Sequence, residues 1–191
     1  MVAMAKMSED QALVERFRRG DDSAFDRIVE RYSAEVAALA HNLLGWPRDV
    51  DDIVQEVFVS ALLGLKSFRG DCALRAWLYT ITLNKCRSYH RYRRMLCLQG
   101  RAMENAEASQ STDEGAGKDA VDRETFARVR DAIRALPPKY REVVVLRYLE
   151  GKETSDICGL LGISVSAFNM RLNRARKRLR EQLIGLIEDE S

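Results

Sequence analysis

The chain has 191 residues, 46% of them hydrophobic, which is enough to bury a core and excludes an intrinsically disordered tail. Its 31 basic and 29 acidic residues leave a formal charge of only +2, so a nucleic-acid partner has to be argued from where charge concentrates. No apolar stretch approaches a membrane span or a signal peptide, so a cytoplasmic protein without membrane insertion is the expectation. Cys72, Cys86, Cys97 and Cys158 form no C-x-x-C pair and read as separate reduced thiols rather than a disulfide framework or a zinc site.

From Gln11 to about Tyr92 the apolar residues recur at helical spacing. Phe25, Ile28, Val29, Tyr32, Val36, Leu39 and Leu43 form one stripe behind the capping sequence Gly20-Asp21-Asp22-Ser23. After the break at Gly45-Trp46-Pro47 a second stripe runs through Val50, Ile53, Val54, Val57, Phe58, Ala61, Leu62 and Leu65, with Asp51, Asp52, Gln55 and Glu56 opposite. A turn at Phe68-Arg69-Gly70-Asp71-Cys72 leads to a third helix with Leu74, Trp77, Leu78 and Ile81 inward. Its end carries Lys85, Arg87, His90, Arg91, Arg93 and Arg94 without an acid, and the rings of Tyr79, Tyr89, His90 and Tyr92 are interleaved with that run. Cations beside flat rings suit unpaired bases. The plainer reading is that Trp77 and Tyr79 are core and the arginines solvated; core packing is favoured for Trp77, and nucleic acid for Lys85, Arg87 and Arg91.

Between about Gly100 and Asp122 the period disappears into Ala, Ser, Gly, Glu and Asp, which predicts a flexible linker. Helical spacing returns with Phe126, Val129, Ile133 and Leu136, breaks at Pro137-Pro138 and resumes through Val143, Val144, Leu146 and Leu149. Next come Thr154 to Leu161, a turn at Gly162-Ile163-Ser164, and a helix from Val165 to about Leu186, the pattern of a helix-turn-helix. In the last helix Phe168, Leu172, Ala175, Leu179 and Leu183 share one face. Asn169, Met170, Asn173, Arg174, Lys177 and Arg178 are left to point elsewhere. A helix fits the major groove, where Asn pairs with adenine and Arg with guanine, and Ser164 as N-cap would aim free N–H groups at the backbone. A basic helix alone is equally a solvated bundle face; the preceding helix and turn tip the balance.

Asp51, Asp52 and Glu56 lie one turn apart and could in principle hold magnesium, but no third convergent motif or phosphate-cradling loop accompanies them. His41 and His90 make no local metal motif. No metal, cofactor or catalytic residue is therefore expected, and the protein is read as not an enzyme.

Taken together these residues resemble the extracytoplasmic-function sigma factors, dissociable specificity subunits of bacterial RNA polymerase. The first half resembles their region 2 in Phe25-Asp-Arg-Ile-Val-Glu-Arg-Tyr, Asp52-Ile-Val-Gln-Glu-Val-Phe, Phe68-Arg-Gly-Asp and Trp77-Leu-Tyr-Thr-Ile-Thr-Leu-Asn84. The second half resembles region 4 in Leu136-Pro-Pro-Lys-Tyr-Arg-Glu-Val-Val-Val-Leu-Arg, Glu150-Gly and Arg171-Leu-Asn-Arg-Ala-Arg-Lys-Arg-Leu-Arg. The resemblance implies an all-α chain of two small helical domains: region 2 over residues 1–96, a linker over 97–124 and region 4 over 125–191. It implies that Asp52, Gln55 and Glu56 dock the clamp helices of the polymerase core, with the polymerase flap a further partner. It implies that Phe68, Arg69, Asn84, Lys85, Arg87, Ser88 and Arg91 capture and open the −10 element. It also implies that Ser164, Asn169, Met170, Arg171, Asn173, Arg174 and Lys177 meet the −35 element of promoter DNA, and that an anti-sigma factor restrains the protein. Ser166-Ala-Phe-Asn-Met departs from the Gly-Thr-Val-basic start common in this helix, as Ser155-Asp-Ile-Cys does from Glu-Ile-Ala, so the −35 sequence is left open. A homodimeric helix-turn-helix repressor accounts for 126–191 but leaves the first half without a task. A magnesium-dependent nuclease built on Asp51, Asp52 and Glu56 predicts cleavage without polymerase.

Overall fold

A computed structural model describes residues 8–45, 50–98 and 120–188, with side chains over 124–184 of the last stretch. Every regular element among them is helical.

The first helix, α1 (Glu9–Arg18), starts at a capping box in which Ser8 and Gln11 satisfy each other's backbone N–H groups, with Glu9 and Asp10 in the first turn. It buries Leu13, Val14 and Phe17. Apolar periodicity alone runs this stretch into the second helix; Gly20, at φ +93°, separates the two. Helix α2 (Ser23–Leu44) then buries Ile28, Tyr32, Val36, Leu39 and Leu43 as its stripe predicts, with Phe25 and Val29 packed at the edge. The expected cap works differently: Asp22 makes no side-chain cap bond, and Asp21 instead accepts from the Ser23 hydroxyl at 2.6 Å and from Arg16 of α1 at 2.9 Å. Helices α3 (Val50–Leu65) and α4 (Leu74–Leu98) complete an N-terminal bundle. Gly64 lets it close, because a Cβ there would stand 3.1 Å from the Trp77 ring, which stacks on Phe68 at 5.0 Å.

The C-terminal bundle comprises α5 (Ala120–Ala135), α6 (Pro138–Val144), α7 (Thr154–Leu161) and α8 (Val165–Glu188). Pro138 opens α6, where its missing N–H costs nothing. The helical run that the sequence extends to Leu149 widens into a π turn over Val145–Leu149, a feature apolar periodicity does not signal. Of the predicted linker, 99–119 lies outside the described residues; α4 runs to Leu98 and α5 is already helical at Ala120.

The two bundles are packed together, and one hydrophobic cluster of buried residues runs through both. The seam is also polar. Arg141, 4% exposed, donates to Leu43 O at 2.7 Å and Leu44 O at 3.0 Å at the end of α2, while its other terminal nitrogen holds Leu136 O at 3.1 Å and Arg134 O in its own bundle. One cation thus serves carbonyls left unpaired at two helix ends. Gly45, at φ +74°, permits the approach: a Cβ there would meet Arg134 Cγ at 3.0 Å.

Candidate nucleic-acid interface

Three faces carry the residues singled out by sequence. On α3, Asp52, Gln55 and Glu56 are exposed, and the same helical face continues through Val59, Leu62 and Leu63, which is 78% exposed. Sequence spacing places Leu62 inward; at 42% exposure it belongs instead to this outer stripe, three and seven residues beyond Val59 and Gln55. An acidic head followed by an unpaired apolar tail suits a protein partner better than a metal, and no metal-binding cluster of His, Cys, Asp or Glu occurs among the described residues.

On α4, Asn84, Ser88 and Arg91 are exposed on one face, with Arg87 at its edge. Lys85 lies beside them, tied to Glu56 of α3 at 3.1 Å. Arg87 is bound in bidentate fashion by Glu142 of α6, at 2.8 and 2.9 Å, a pairing that strengthens both bonds. Two of the rings that the sequence offers to bases are committed elsewhere, Tyr79 in the core as the plainer reading has it. Tyr79 is buried and its hydroxyl donates to Glu150 at 2.8 Å, with burial foremost and that carboxylate next pushing its pKa up to about 12. His90 is half-buried with Nε2 3.3 Å from Leu43 O. Tyr92 stays exposed. In the loop before α4, Arg69 is exposed, whereas Phe68 is half-buried on Trp77 and its carbonyl accepts from Arg18.

On α8 the predicted helix-turn-helix is present. Gly162 closes α7 in the left-handed conformation, and Ser164 caps α8 through a bond from Ala167 N–H at 3.2 Å. Phe168, Leu172 and Ala175 are buried, and Asn169, Met170, Asn173, Arg174 and Lys177 project outward together; Arg171 is half-buried at the border. Two further contacts brace this helix: Arg176 donates to the Tyr148 hydroxyl at 2.9 Å, and a bond from Arg174 holds the Tyr140 phenol below its ordinary pKa. Arg141, Glu142 and Glu150 organise the seam; the sequence offered them only within the strings that resemble region 4 and gave none of them a role.

These faces define a two-bundle helical protein with a helix-turn-helix and an exposed acidic and apolar stripe, and comparison with known proteins names the class. Residues 28–95 match the family described as Sigma-70 region 2, and 126–179 match Sigma-70, region 4. The ECF RNA polymerase sigma-E factor of Haemophilus influenzae is 34% identical over 96% of this chain and 100% of its own length. That of Escherichia coli strain K12 is 33% identical over 96% and 99%. Among solved structures, CnrH in complex with the cytosolic domain of CnrY aligns at TM-score 0.64 and 31% identity, covering 95% of this chain and 99% of that one. The sigma factor RpoE of Bartonella quintana, in complex with the anti-sigma factor NepR, shares the fold at TM-score 0.66, 24% identity and coverage of 83% and 96%. The chain belongs to the ECF RNA polymerase sigma factors and acts in transcription initiation with RNA polymerase.

Proposed function

We propose a division of labour by face within this sigma factor. Residues 1–96 form the polymerase-docking and −10 domain, 97–124 the connection and 125–191 the −35 domain. Asp52, Gln55 and Glu56 dock the polymerase clamp helices. Phe68, Arg69, Asn84, Lys85, Arg87, Ser88 and Arg91 take the −10 strand. Ser164, Asn169, Met170, Arg171, Asn173, Arg174 and Lys177 meet the −35 duplex. The observation that carries this reading is the outward row from Asn169 to Lys177 on a capped helix whose opposite face is buried. Amide and guanidinium groups there reach base edges, Met170, 48% exposed, offers an apolar contact to a thymine methyl, and the helix N-terminus favours a phosphate. The burial of Phe68 against Trp77 supports a role in shaping the loop that presents Arg69 more than direct stacking.

The protein works in the cytoplasm without catalysis of its own; no described helix is long and apolar enough to cross a membrane. An anti-sigma factor is its expected regulator, since a structural relative is held by one. Run-off transcription from a promoter library, with and without this protein added to core polymerase, tests the reading. Core-dependent transcripts sharing −35 and −10 elements are expected. Tight binding of the protein alone to palindromic duplex, with no such transcripts, would instead establish the homodimeric repressor.

A further inference from the structure

Three polar contacts close the seam, and the C-terminal bundle supplies a charged side chain to each. Arg141 enters the end of α2, Glu142 grips Arg87, and Glu150 accepts from Tyr79. Glu142 is 8% exposed at its side chain and Arg87 34%, so the pair spans from buried to open ground. A carboxylate forked onto a guanidinium presents the same two-oxygen geometry as a nucleic-acid phosphate. Arg87 cannot serve both at once. Parting the bundles exposes apolar surface of the cluster they share, but the polar contacts add less to that cost than their number implies, because the carbonyls of Leu43 and Leu44 and all the charges regain water, while Arg141 keeps Leu136 O.

We propose that the seam is an intramolecular mask, in which Glu142 occupies Arg87 in place of a phosphate of the −10 strand and withholds it until the bundles part. The proposal rests on the assignment of Arg87 to that strand. It makes region 4 a competitor of single-stranded DNA for region 2 within the same chain, before any other protein is involved.

The test uses the full chain with two readouts, radius of gyration by small-angle scattering and anisotropy with a short mixed-sequence single-stranded oligonucleotide. Glu142→Arg should expand the chain, and Arg87→Glu with Glu142→Arg should make it compact again by re-forming the pair in reverse. Glu142→Gln should tighten oligonucleotide binding several-fold, and adding Arg87→Ala should abolish that gain. Tyr79→Phe, which removes the hydroxyl's bond to Glu150 across the seam and its bond to Arg75 within α4, should expand the chain less in the same direction and stands in should Glu142→Arg fail to fold. A Glu142→Arg or Tyr79→Phe chain, folded by circular dichroism and as compact as the wild type, would overturn the latch while leaving the DNA role of Arg87 intact. Expansion with unchanged oligonucleotide binding, or a gain that survives Arg87→Ala, would overturn the mask together with that role.

Discussion

Helices α4 and α8 are nearly the same length, 25 and 24 residues, and each carries an uninterrupted basic run, yet their cations meet different fates. Arg176 and Arg174 of α8 lean on the hydroxyls of Tyr148 and Tyr140, which take no charge from them, and Lys177 reaches Glu181 only at 4.0 Å in open solvent. On α4, Lys85 and Arg87 are each bound by a carboxylate from another helix, Glu56 of α3 and Glu142 of α6. Local composition sets how much charge a helix can offer; carboxylates 29 and 55 residues away in sequence decide how much is on offer. An exposed basic helix can search duplex DNA at once, whereas a paired one has to be released first.

The sharpest way to break the contrast is to remove the cation that joins the bundles. Arg141→Met strands carbonyls at the ends of α2 and α5, and should cost about 3 kcal/mol in urea denaturation. A change within ~0.5 kcal/mol would mean that water already serves those carbonyls. On α8, Arg174→Ala should weaken −35 duplex binding by about 1–3 kcal/mol at one base position if it reads an edge, and uniformly across sequences if it holds phosphate. Cognate and scrambled duplexes separate the two.

Acidity acts on the seam through two histidines. Burial foremost lowers the pKa of His41, with Arg134 and Arg130 adding to the effect. Burial also lowers that of His90, where Arg141 and Arg93 push the same way while the Leu43 carbonyl and Glu142 oppose. Both histidines therefore favour the packed form while neutral. Their contribution is fully present above the ordinary value of 6.5 and is lost as pH falls below it toward the depressed values. Scattering should show expansion between about pH 7 and pH 5, and a His41→Gln, His90→Gln chain should respond less. The smallest effect is expected at Glu56→Gln, which releases Lys85 from a largely solvated pair. It should change fold stability by under ~0.5 kcal/mol while reducing affinity for core polymerase in a pull-down titration.

The helices and the outward face of α8 were legible because both follow from one local rule, an apolar residue every three or four positions with polar groups opposite. Ser164 and Gly162 were legible for the same reason: caps and turns are written in adjacent residues. Local patterning misplaced Leu62, whose spacing fits the edge of either face, and counted Tyr79 and His90 among rings free for bases although both turn into the seam. The seam was illegible because its partners lie 55 to 98 residues apart and its charged members look like ordinary surface residues until two helix ends are brought beside them.

That separation has a consequence for the order of events at the ribosome. Contacts within each bundle can form as soon as its own segment has emerged, whereas Leu43 must wait for Arg141, 98 residues later. A nascent chain that has released α1 to α4 therefore carries the exposed stripe of α3 and an uncovered Arg87 before Glu142 has joined it. Closure waits for Arg141 and Glu142 to emerge, and the growing chain passes through a window in which its first half is more available than it is afterwards.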